Sequence, residues 1–292
     1  MRRIPRPGDN RIVTDSKGVN EFFDQNVADY EAKHYGHGIR SFMTVRQRRV
    51  MELVDELNLP RGAAVLDAGC GPGYLLQALA TRGFQVSGMD GSDQMLRSAD
   101  SRLRAAHPDF PFTLKQGDIE HLPFEDAQFD LVLSTGVIEY LKGDASVLRE
   151  IHRVLRPGGH LVLPVTNLWS PVNAFDGIIE FFKRQAWFRR PFNLVWERLG
   201  HGALLPRNFQ VRKHRPASFR HSLELAGFTL KEDLYFHFLP CPRPLERLLP
   251  DTSNRIGEWM DNHLARSGFG VLGEGYLTLS AKTAFQQSGS PR

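Results

Sequence analysis

Residues 63–79 read A-A-V-L-D-A-G-C-G-P-G-Y-L-L-Q-A-L, and this stretch decides the fold. The apolar run Ala63–Leu66 is typical of a strand that is buried on both faces. Asp67 ends the run, and residues 74–80 predict the first turns of a helix. Three glycines lie between them at alternate positions, at Gly69, Gly71 and Gly73. A strand, a glycine turn and a helix together place backbone N–H groups where a ligand can approach them closely.

The spacing of the glycines distinguishes two kinds of nucleotide-binding turn. A dinucleotide-binding turn has the pattern G-x-G-x-x-G, with a third glycine that allows close packing of helix on strand. Gly69 and Gly71 fit this pattern, but Tyr74 occupies the third glycine position. The pattern here is G-x-G-x-G, with an acid two residues before the first glycine. An NAD(P)-dependent oxidoreductase is therefore disfavoured.

Strands and helices continue to alternate after this turn. Further strands are predicted at 84–89, 112–116, 129–134 and 160–165, with helices at 92–106 and 145–155. Such alternation predicts a parallel sheet with right-handed crossovers. Polar side chains stand at the carboxyl ends of four successive strands, at Asp67, Asp90, Asp118 and Ser134. Ligands bind at these ends in open α/β sheets, so the pattern indicates a binding site there.

These features, taken in order, resemble the class I S-adenosylmethionine (SAM) methyltransferases, in the UbiE/UbiG-like branch with small-molecule and lipid acceptors. The G-x-G-x-G turn is similar to motif I of the family. Gly117-Asp118-Ile119 and the run Leu155-Arg156-Pro157-Gly158-Gly159 also match family features. The resemblance implies a Rossmann-like α/β fold with a seven-stranded, mostly parallel sheet and helices on both faces. It also implies an antiparallel last strand and, in this chain, a helical insertion after strand five.

The resemblance further implies how SAM is bound. Asp90 is expected to accept hydrogen bonds from both ribose hydroxyls, because a carboxylate has two acceptor oxygens. Asp118 is expected to accept from the adenine amino group, while Ile119 donates its backbone N–H to the ring. Asp67 either holds the ammonium of SAM or orients the turn. The expected cofactor-binding residues are Asp67, Gly69, Cys70, Gly71, Gly73, Asp90, Gly91, Met95, Asp118, Ile119, Ser134, Thr135 and Gly136.

Four parts of the chain are predicted. Residues 1–62 form an N-terminal tail and helical lid, and residues 63–166 form the SAM-binding core. Residues 167–215 are an aromatic and basic helical insertion that caps the substrate, and residues 216–285 complete the sheet with a second insertion. Phe22–Tyr30 resembles the segment that covers the cofactor in this family, although a plain surface helix is the alternative. Tyr276–Ala281 is expected to be strand seven, antiparallel at the edge of the sheet.

The basic excess of the chain is concentrated in residues 167–215. This segment has nine Lys and Arg against three Asp and Glu, a net charge of +6, whereas the whole chain carries +4. Three interpretations remain open: a cap whose aromatic residues line the substrate pocket, an interfacial helix on an anionic membrane, or a nucleic-acid surface. An N-P-P-Y type motif and an added RNA-binding domain are both absent from the sequence, which disfavours nucleic acid.

The composition and the cysteines indicate the compartment. Hydrophobic residues make up 41% of the chain and charged residues 24%, as in ordinary soluble globular proteins. Two cysteines, Cys70 and Cys241, predict no disulfide framework and fit a reducing cytosol. We see neither a signal peptide nor a metal-ligand spacing, and no apolar run approaches the roughly 18 residues of a membrane span. A cytoplasmic protein is expected, with peripheral contact to the inner face of an anionic membrane left open.

Methyl transfer from a sulfonium is an in-line displacement, so the protein mainly positions the acceptor and excludes water. A hydroxyl or acidic carbon acceptor also needs a base. Candidates for catalysis are His34, His37, Glu139 and Tyr140, whereas His152 is expected to be an ordinary helix residue. The predicted function is methyl transfer from SAM to a small-molecule or lipid-like acceptor, by O- or C-methylation. The alternatives are a SAM-binding protein without transfer activity and a nucleic-acid methyltransferase.

Overall fold

A computed structural model describes residues 16–35, 40–185, 187, 211–240 and 250–283 of the 292-residue chain. Its strands are β1 Ala64–Ala68, β2 Gln85–Asp90, β3 Phe112–Gln116, β4 Phe129–Leu133, β5 Leu155–Thr166, β6 Phe228–Phe236 and β7 Gly275–Lys282. They form one sheet in the order β3-β2-β1-β4-β5-β7-β6. The strands β1 to β5 pair in parallel, and β7 is antiparallel to both of its neighbours. The predicted fold class is confirmed.

Helices cover both faces of this sheet. They are α1 Ser16–Tyr35, α2 Phe42–Glu56, α3 Tyr74–Thr81, α4 Asp93–Ala106, α5 Ala145–Val154, α6 Pro171–Arg184, α7 Pro216–Leu225 and α8 Pro250–Leu264, with 3₁₀ turns at Ile138–Tyr140 and Gly270–Leu272. One apolar cluster packs α2, α3 and α4 against the sheet, through side chains such as Leu53, Leu76 and Leu103. A second cluster includes Leu148 of α5 and Phe219 of α7. Within the described ranges, no helix combines the length and the apolar character that crossing a membrane requires.

The last strand lies inside the sheet, so the expected edge position is wrong. β7 pairs with β5 from His160–Ala281 to Thr166–Gly275, and with β6 along its other side. All residues from Gly275 to Ala281 are buried. A strand buried in this way needs hydrogen-bonding partners on both sides, so the half-exposed β6 takes the edge. The expected antiparallel direction is confirmed.

The start of β5 also differs from expectation. The strand predicted at 160–165 begins earlier, at Leu155, so the run Arg156–Gly159, which the prediction left outside the strand as a turn, belongs to β5. Phe129 pairs with Leu155 and Leu131 pairs with His160, so the register shifts between the two pairs. Gly158, with a φ of 76°, absorbs this irregularity because glycine adopts positive φ without steric cost.

Helix α6 exposes part of its apolar surface. Phe175 and Phe182 are half-buried, but Ile178 is 55% exposed and Phe181 is 60% exposed. The aromatic and basic residues predicted to continue this segment from Phe188 to Trp196 lie outside the described residues. The substrate-cap interpretation of 167–215 therefore stays a prediction.

Candidate active site

A cleft opens at the carboxyl ends of β1, β2, β3 and β4, where the strand order reverses between β1 and β4. This is the place at which open α/β sheets bind ligands. Helix α1 forms the opposite wall through Val19, Asn20, Phe23 and Tyr30. The predicted cofactor residues that line the cleft are Gly69, Gly71, Asp90, Gly91, Met95, Asp118, Ile119, Thr135 and Gly136. The fold therefore brings together nine residues that the sequence spreads from position 69 to position 136.

The turn after β1 requires glycine for two separate reasons. Gly69 and Gly73 have φ values of 89° and 82°, which L side chains rarely adopt. A Cβ at Gly69 would lie 2.0 Å from the Val137 side chain, and one at Gly73 would lie 2.8 Å from Ala99 on α4. The N–H groups of Gly69 and Cys70 both donate to the Met89 carbonyl, at 2.7 and 3.0 Å. The turn is thereby tied to the end of β2.

Four of the predicted cofactor residues lie behind the wall of the cleft: Asp67, Cys70, Gly73 and Ser134. The Cys70 side chain packs in the core beneath Gly88, and burial raises the pKa of its thiol. Gly73 caps the amino end of α3, and the Ser134 hydroxyl is buried without a hydrogen-bond partner. Direct contact between these side chains and a cofactor stays a prediction.

Asp67 is a buried acid at the end of β1 with a raised pKa. It is 1% exposed, and its Oδ1 has no hydrogen-bond partner. Burial and then repulsion from Asp90 raise the pKa of Asp67 to about 7, against the opposing influence of Arg46. A buried carboxylate with an unsatisfied oxygen is unstable unless a proton or a cation joins it. The unpaired Oδ1 therefore favours a proton or a cation as its partner.

Asp90 is the last residue of β2, and backbone N–H groups hold both of its carboxylate oxygens in place. Its Oδ2 accepts the Gly71 N–H at 2.8 Å, and its Oδ1 accepts the Ser92 N–H at 2.9 Å. Burial raises the pKa of Asp90, while these backbone N–H groups oppose the rise. Each carboxylate oxygen can accept a second hydrogen bond. The carboxylate can therefore accept a pair of neighbouring hydroxyls.

Asp118 and Met95 form the far end of the cleft. Asp118 is exposed, and its Oδ1 accepts the Glu120 N–H at 3.0 Å, which fixes the carboxylate in a turn. Ile119 is buried next to it. Met95 is held in the first turn of α4, because the Ser92 hydroxyl accepts its N–H at 3.1 Å. These groups provide an acceptor beside an apolar surface, which suits the edge and face of a nucleobase.

Helix α1 is fastened across the cleft at three points. Asp24 accepts from the Ser92 hydroxyl at 2.5 Å and from the Gln94 N–H at 3.2 Å, so it reinforces the amino end of α4. Glu31 pairs with Arg102 at 2.5 Å. The ring of Tyr35 stacks on that of Tyr74, with 3.8 Å between their centroids. The lid interpretation of this segment stays a prediction, and these contacts are what would have to break for it to open.

Sequence reasoning missed Arg46 on α2. It is 6% exposed, and its guanidinium lies against Gly136, where a Cβ would be 2.5 Å from Nη1. Its charge acts on Asp67 and on the hydroxyls of Tyr30 and Tyr35, where burial is the larger effect and raises both tyrosine pKa values. Arg46 lies four residues before Val50 and therefore on the apolar face of α2. An arginine on a core-facing stripe was the signal available in the sequence.

The described candidates for catalysis lie in different places relative to the cleft. Glu139 is buried, with Oε1 accepting from the N–H and hydroxyl of Thr166 at 3.2 and 3.3 Å, while Oε2 is unpaired. Tyr140 lines the cleft, and its ring meets Phe23 edge-on at 5.8 Å. His34 packs on the ring of Tyr30 without lining the cleft, and His37 lies outside the described residues. Outside this group, His152 packs on Phe228, as expected of an ordinary helix residue.

Known proteins match parts of the chain. The methyltransferase domain family matches residues 66–163. A malonyl-[acyl-carrier protein] O-methyltransferase of Erwinia pyrifoliae is 31% identical over 202 residues, which cover 68% of each chain. A ubiquinone biosynthesis O-methyltransferase of Pseudomonas paraeruginosa is 36% identical over 115 residues, which cover 39% of this chain and 49% of that protein. The chain spans about half the length of the curated relatives that it matches, from 40% to 68%.

The fold has a close counterpart among solved structures. The magnesium protoporphyrin IX methyltransferase of Synechocystis, solved with bound SAH, superimposes with a TM-score of 0.61. The alignment covers 92% of this chain and 100% of that one, at 18% sequence identity. At this identity the likeness concerns the fold alone.

Proposed function

This chain belongs to the class I SAM-dependent methyltransferases, and we propose that it transfers a methyl group from SAM to a small-molecule or lipid-like acceptor. The observation that carries the proposal is the series of acids at the ends of three neighbouring strands. Asp67 and Asp90 lie at the carboxyl ends of β1 and β2, and Asp118 follows β3, the next strand in the sheet. Their chemistry matches, in sequence, an ammonium, a pair of ribose hydroxyls and an amino group on a nucleobase.

The chain's own residues would hold SAM in this order. Asp90 would accept the ribose hydroxyls, and Asp118 with Ile119 would face the adenine. Asp67 would bind the ammonium at the methionine end of SAM. Arg46 would neutralise the carboxylate at the same end of SAM. The buried, unpaired Oδ1 of Asp67 supports this orientation, since the opposite one would leave that oxygen unsatisfied. SAM supplies an electrophilic methyl group, so the protein positions the acceptor and excludes water rather than forming a covalent bond itself.

The acceptor is proposed to be largely apolar. The cleft is also lined by Phe23, Tyr30, Val137, Tyr140 and Leu141, and no Lys or Arg is among the described lining residues. Aromatic and aliphatic walls favour an acceptor that buries apolar surface. The names of two relatives refer to O-methyltransferases, one for malonyl-[acyl-carrier protein] and one in ubiquinone biosynthesis, and this supports an oxygen atom as the methyl acceptor.

Tyr140 is the proposed contact on the acceptor side. Its phenol can donate a hydrogen bond to the acceptor or accept one from it. Glu139 is proposed as a positioning residue, because its Oε1 joins the 3₁₀ turn that carries Tyr140 to Thr166 at the end of β5. An acceptor hydroxyl that is already acidic would need no stronger base than these two residues provide.

Calorimetric titration with SAM, S-adenosylhomocysteine (SAH) and NADH tests the cofactor. We expect SAM and SAH to bind and NADH not to bind. An acceptor screen that follows SAH production then tests transfer itself. Binding of NADH, or of none of the three, would refute the cofactor assignment. Tight SAM binding without turnover on phenolic, carboxylic or quinone-type acceptors would instead favour a SAM-binding protein without transfer activity.

A further inference from the structure

Gly91 lies between Asp90 and the start of α4, and its backbone conformation does not require a glycine. The three glycines of the turn after β1 have positive φ, whereas Gly91 does not. A Cβ at Gly91 would nevertheless lie 2.6 Å from the Cγ of Asn20 on α1 and 2.6 Å from its Oδ1. Both distances are too short for a real side chain at this position. The glycine therefore makes room for the amide of Asn20.

The next turn of α1 fixes the helix at this place. Asp24 lies four residues after Asn20 and therefore on the same side of the helix. Its carboxylate accepts hydrogen bonds from the Ser92 hydroxyl at 2.5 Å and from the Gln94 N–H at 3.2 Å. Because Ser92 directly follows Gly91, these hydrogen bonds hold the Asn20 amide against Gly91.

The Asn20 amide forms part of the cleft wall beside Asp90. Asn20 lines the cleft together with Gly91, Met95 and Ile119. It is half-buried, and none of the described residues is hydrogen-bonded to its amide. The amide is thus held in place by close packing while its donor and acceptor atoms stay available to a ligand.

The two carboxylates at this end of the cleft can serve only part of a ribose. Each ribose hydroxyl donates one proton and also has acceptor lone pairs. Ionised Asp90 and Asp118 accept hydrogen bonds but cannot donate them. Among the described lining residues, Asn20 is the one whose side chain carries N–H donors. Its amide can therefore donate to hydroxyl oxygens whose protons point at Asp90.

We propose that Asn20 is a further cofactor-binding residue, which donates from its Nδ2 to the ribose hydroxyls that Asp90 accepts from. Helix α1 thereby adds to the ribose site a side-chain donor that the ends of the strands do not provide. The proposal rests on the proposed function, because it takes the adenosine part of SAM to lie at Asp90.

Calorimetric titration with SAH tests the contact. Asn20→Ala should weaken SAH binding by about three- to tenfold, the usual effect of one lost hydrogen bond. Asn20→Asp keeps the size of the side chain but replaces its donor by a second carboxylate beside Asp90, so it should weaken binding at least as much. Gln25→Ala is the matched control, since it removes an exposed amide from the same helix and should leave the affinity unchanged. Alanine favours a helix more than asparagine does, so Asn20→Ala should leave α1 folded.

Competition against SAH with adenosine, 2′-deoxyadenosine and 3′-deoxyadenosine locates the contact on the ligand. Asn20→Ala should weaken adenosine binding by the same factor as SAH binding. The loss should be smaller for at least one deoxynucleoside, because that ligand lacks the hydroxyl that Asn20 contacts. An equal loss for all three nucleosides would place the contact on the base and overturn the assignment to the ribose.

Gly91→Ala tests the seating of the amide. In the unaltered chain the added methyl group would displace the Asn20 amide and should weaken SAH binding. In the Asn20→Ala background the space is free, so the same substitution should have little further effect. Equal losses in the two backgrounds would overturn the proposed seating of Asn20.

The outcomes distinguish this proposal from the cofactor assignment. A chain that binds neither SAH nor adenosine overturns both, whereas SAH binding that Asn20→Ala leaves unchanged overturns the role of Asn20 alone. An Asn20→Asp variant that binds SAH like the unaltered chain also overturns it, because a residue that only filled space would tolerate this exchange.

Discussion

Acidification from about pH 7.5 to about pH 5.5 should weaken SAH binding about 25-fold, because the role proposed for Asp67, holding the ligand's ammonium, requires its ionised form. In the free protein, burial and the neighbouring Asp90 raise the pKa of Asp67 to about 7. Below this pH, Asp67 carries a proton, and ligand binding has to expel it. SAH is the suitable probe because it has the same amino-acid end as SAM and is not consumed.

The magnitude follows from the fraction of Asp67 that is ionised. With a pKa of about 7, roughly three quarters of the molecules carry the carboxylate at about pH 7.5, and about 3% do so at about pH 5.5. The ratio of these fractions is about 25, and each further pH unit below that range weakens binding about tenfold. The ligand's ammonium stays largely protonated over the whole range. Affinity therefore falls as pH falls, and nearly one proton is released on binding at the acidic end.

Isothermal titration in two buffers of different ionisation enthalpy measures both the affinity and the proton release. Asp67→Asn should bind SAH weakly at about pH 7.5 and show little dependence on pH. Asp109→Asn, which removes an exposed acid away from the cleft, should keep the full dependence. A change in affinity below about threefold, or an Asp67→Asn variant that retains the dependence on pH, would refute the role of Asp67. Circular dichroism at each pH confirms that the chain remains folded.

Three further substitutions test the cleft. Asp90→Ala should weaken SAH binding by roughly 1–3 kcal/mol, measured by titration, and unchanged affinity would contradict the placement of the ribose. Gly62→Ala introduces only backbone strain and should lower the free energy of unfolding by about 1–2 kcal/mol, whereas Gly73→Ala adds a clash with α4 and should cost a further 1–3 or so; equal denaturation midpoints would exclude the clash. Arg46→Met should weaken SAH binding by about 1.5–3 kcal/mol, while the exposed Arg97→Met should not. Equal affinities would contradict an interaction between Arg46 and the carboxylate of the ligand.

The parts of the fold that depend on neighbouring residues could be predicted from the sequence. The strand, glycine turn and helix from Ala64 to Thr81 follow from apolar runs and glycine spacing, and so do the acids at the ends of the strands. The side chains of Cys70 and Ser134 do not line the cleft, although both residues lie at the right place in the chain. The direction in which a side chain points depends on the packing around each turn, which a motif does not specify.

Features that depend on distant residues could not be predicted in the same way. The alternation in Tyr276–Ala281 indicates a strand, but only pairing with both β5 and β6 places it inside the sheet. The raised pKa of Asp67 requires its burial and the proximity of Asp90. The periodicity of α6 predicts one apolar side without specifying that this side faces the core. Ile178 belongs to the periodic series Phe175, Ile178, Ile179 and Phe182 but is exposed, whereas Phe175 and Phe182 are half-buried.

The antiparallel direction of β7 explains why the two additions to the sheet meet. The segment 167–215 leaves from the carboxyl end of β5 at Thr166, and the segment between β6 and β7 returns at Gly275. Thr166 pairs with Gly275, so the first segment leaves and the second returns at the edge of the sheet that carries the cleft. A parallel β7 would have brought the second segment to the opposite edge. The acids proposed to hold SAM stand at the carboxyl ends of β1, β2 and β3, whereas the two additions join the sheet at β5 and β7, so differences in acceptor can arise there without disturbing the cofactor site.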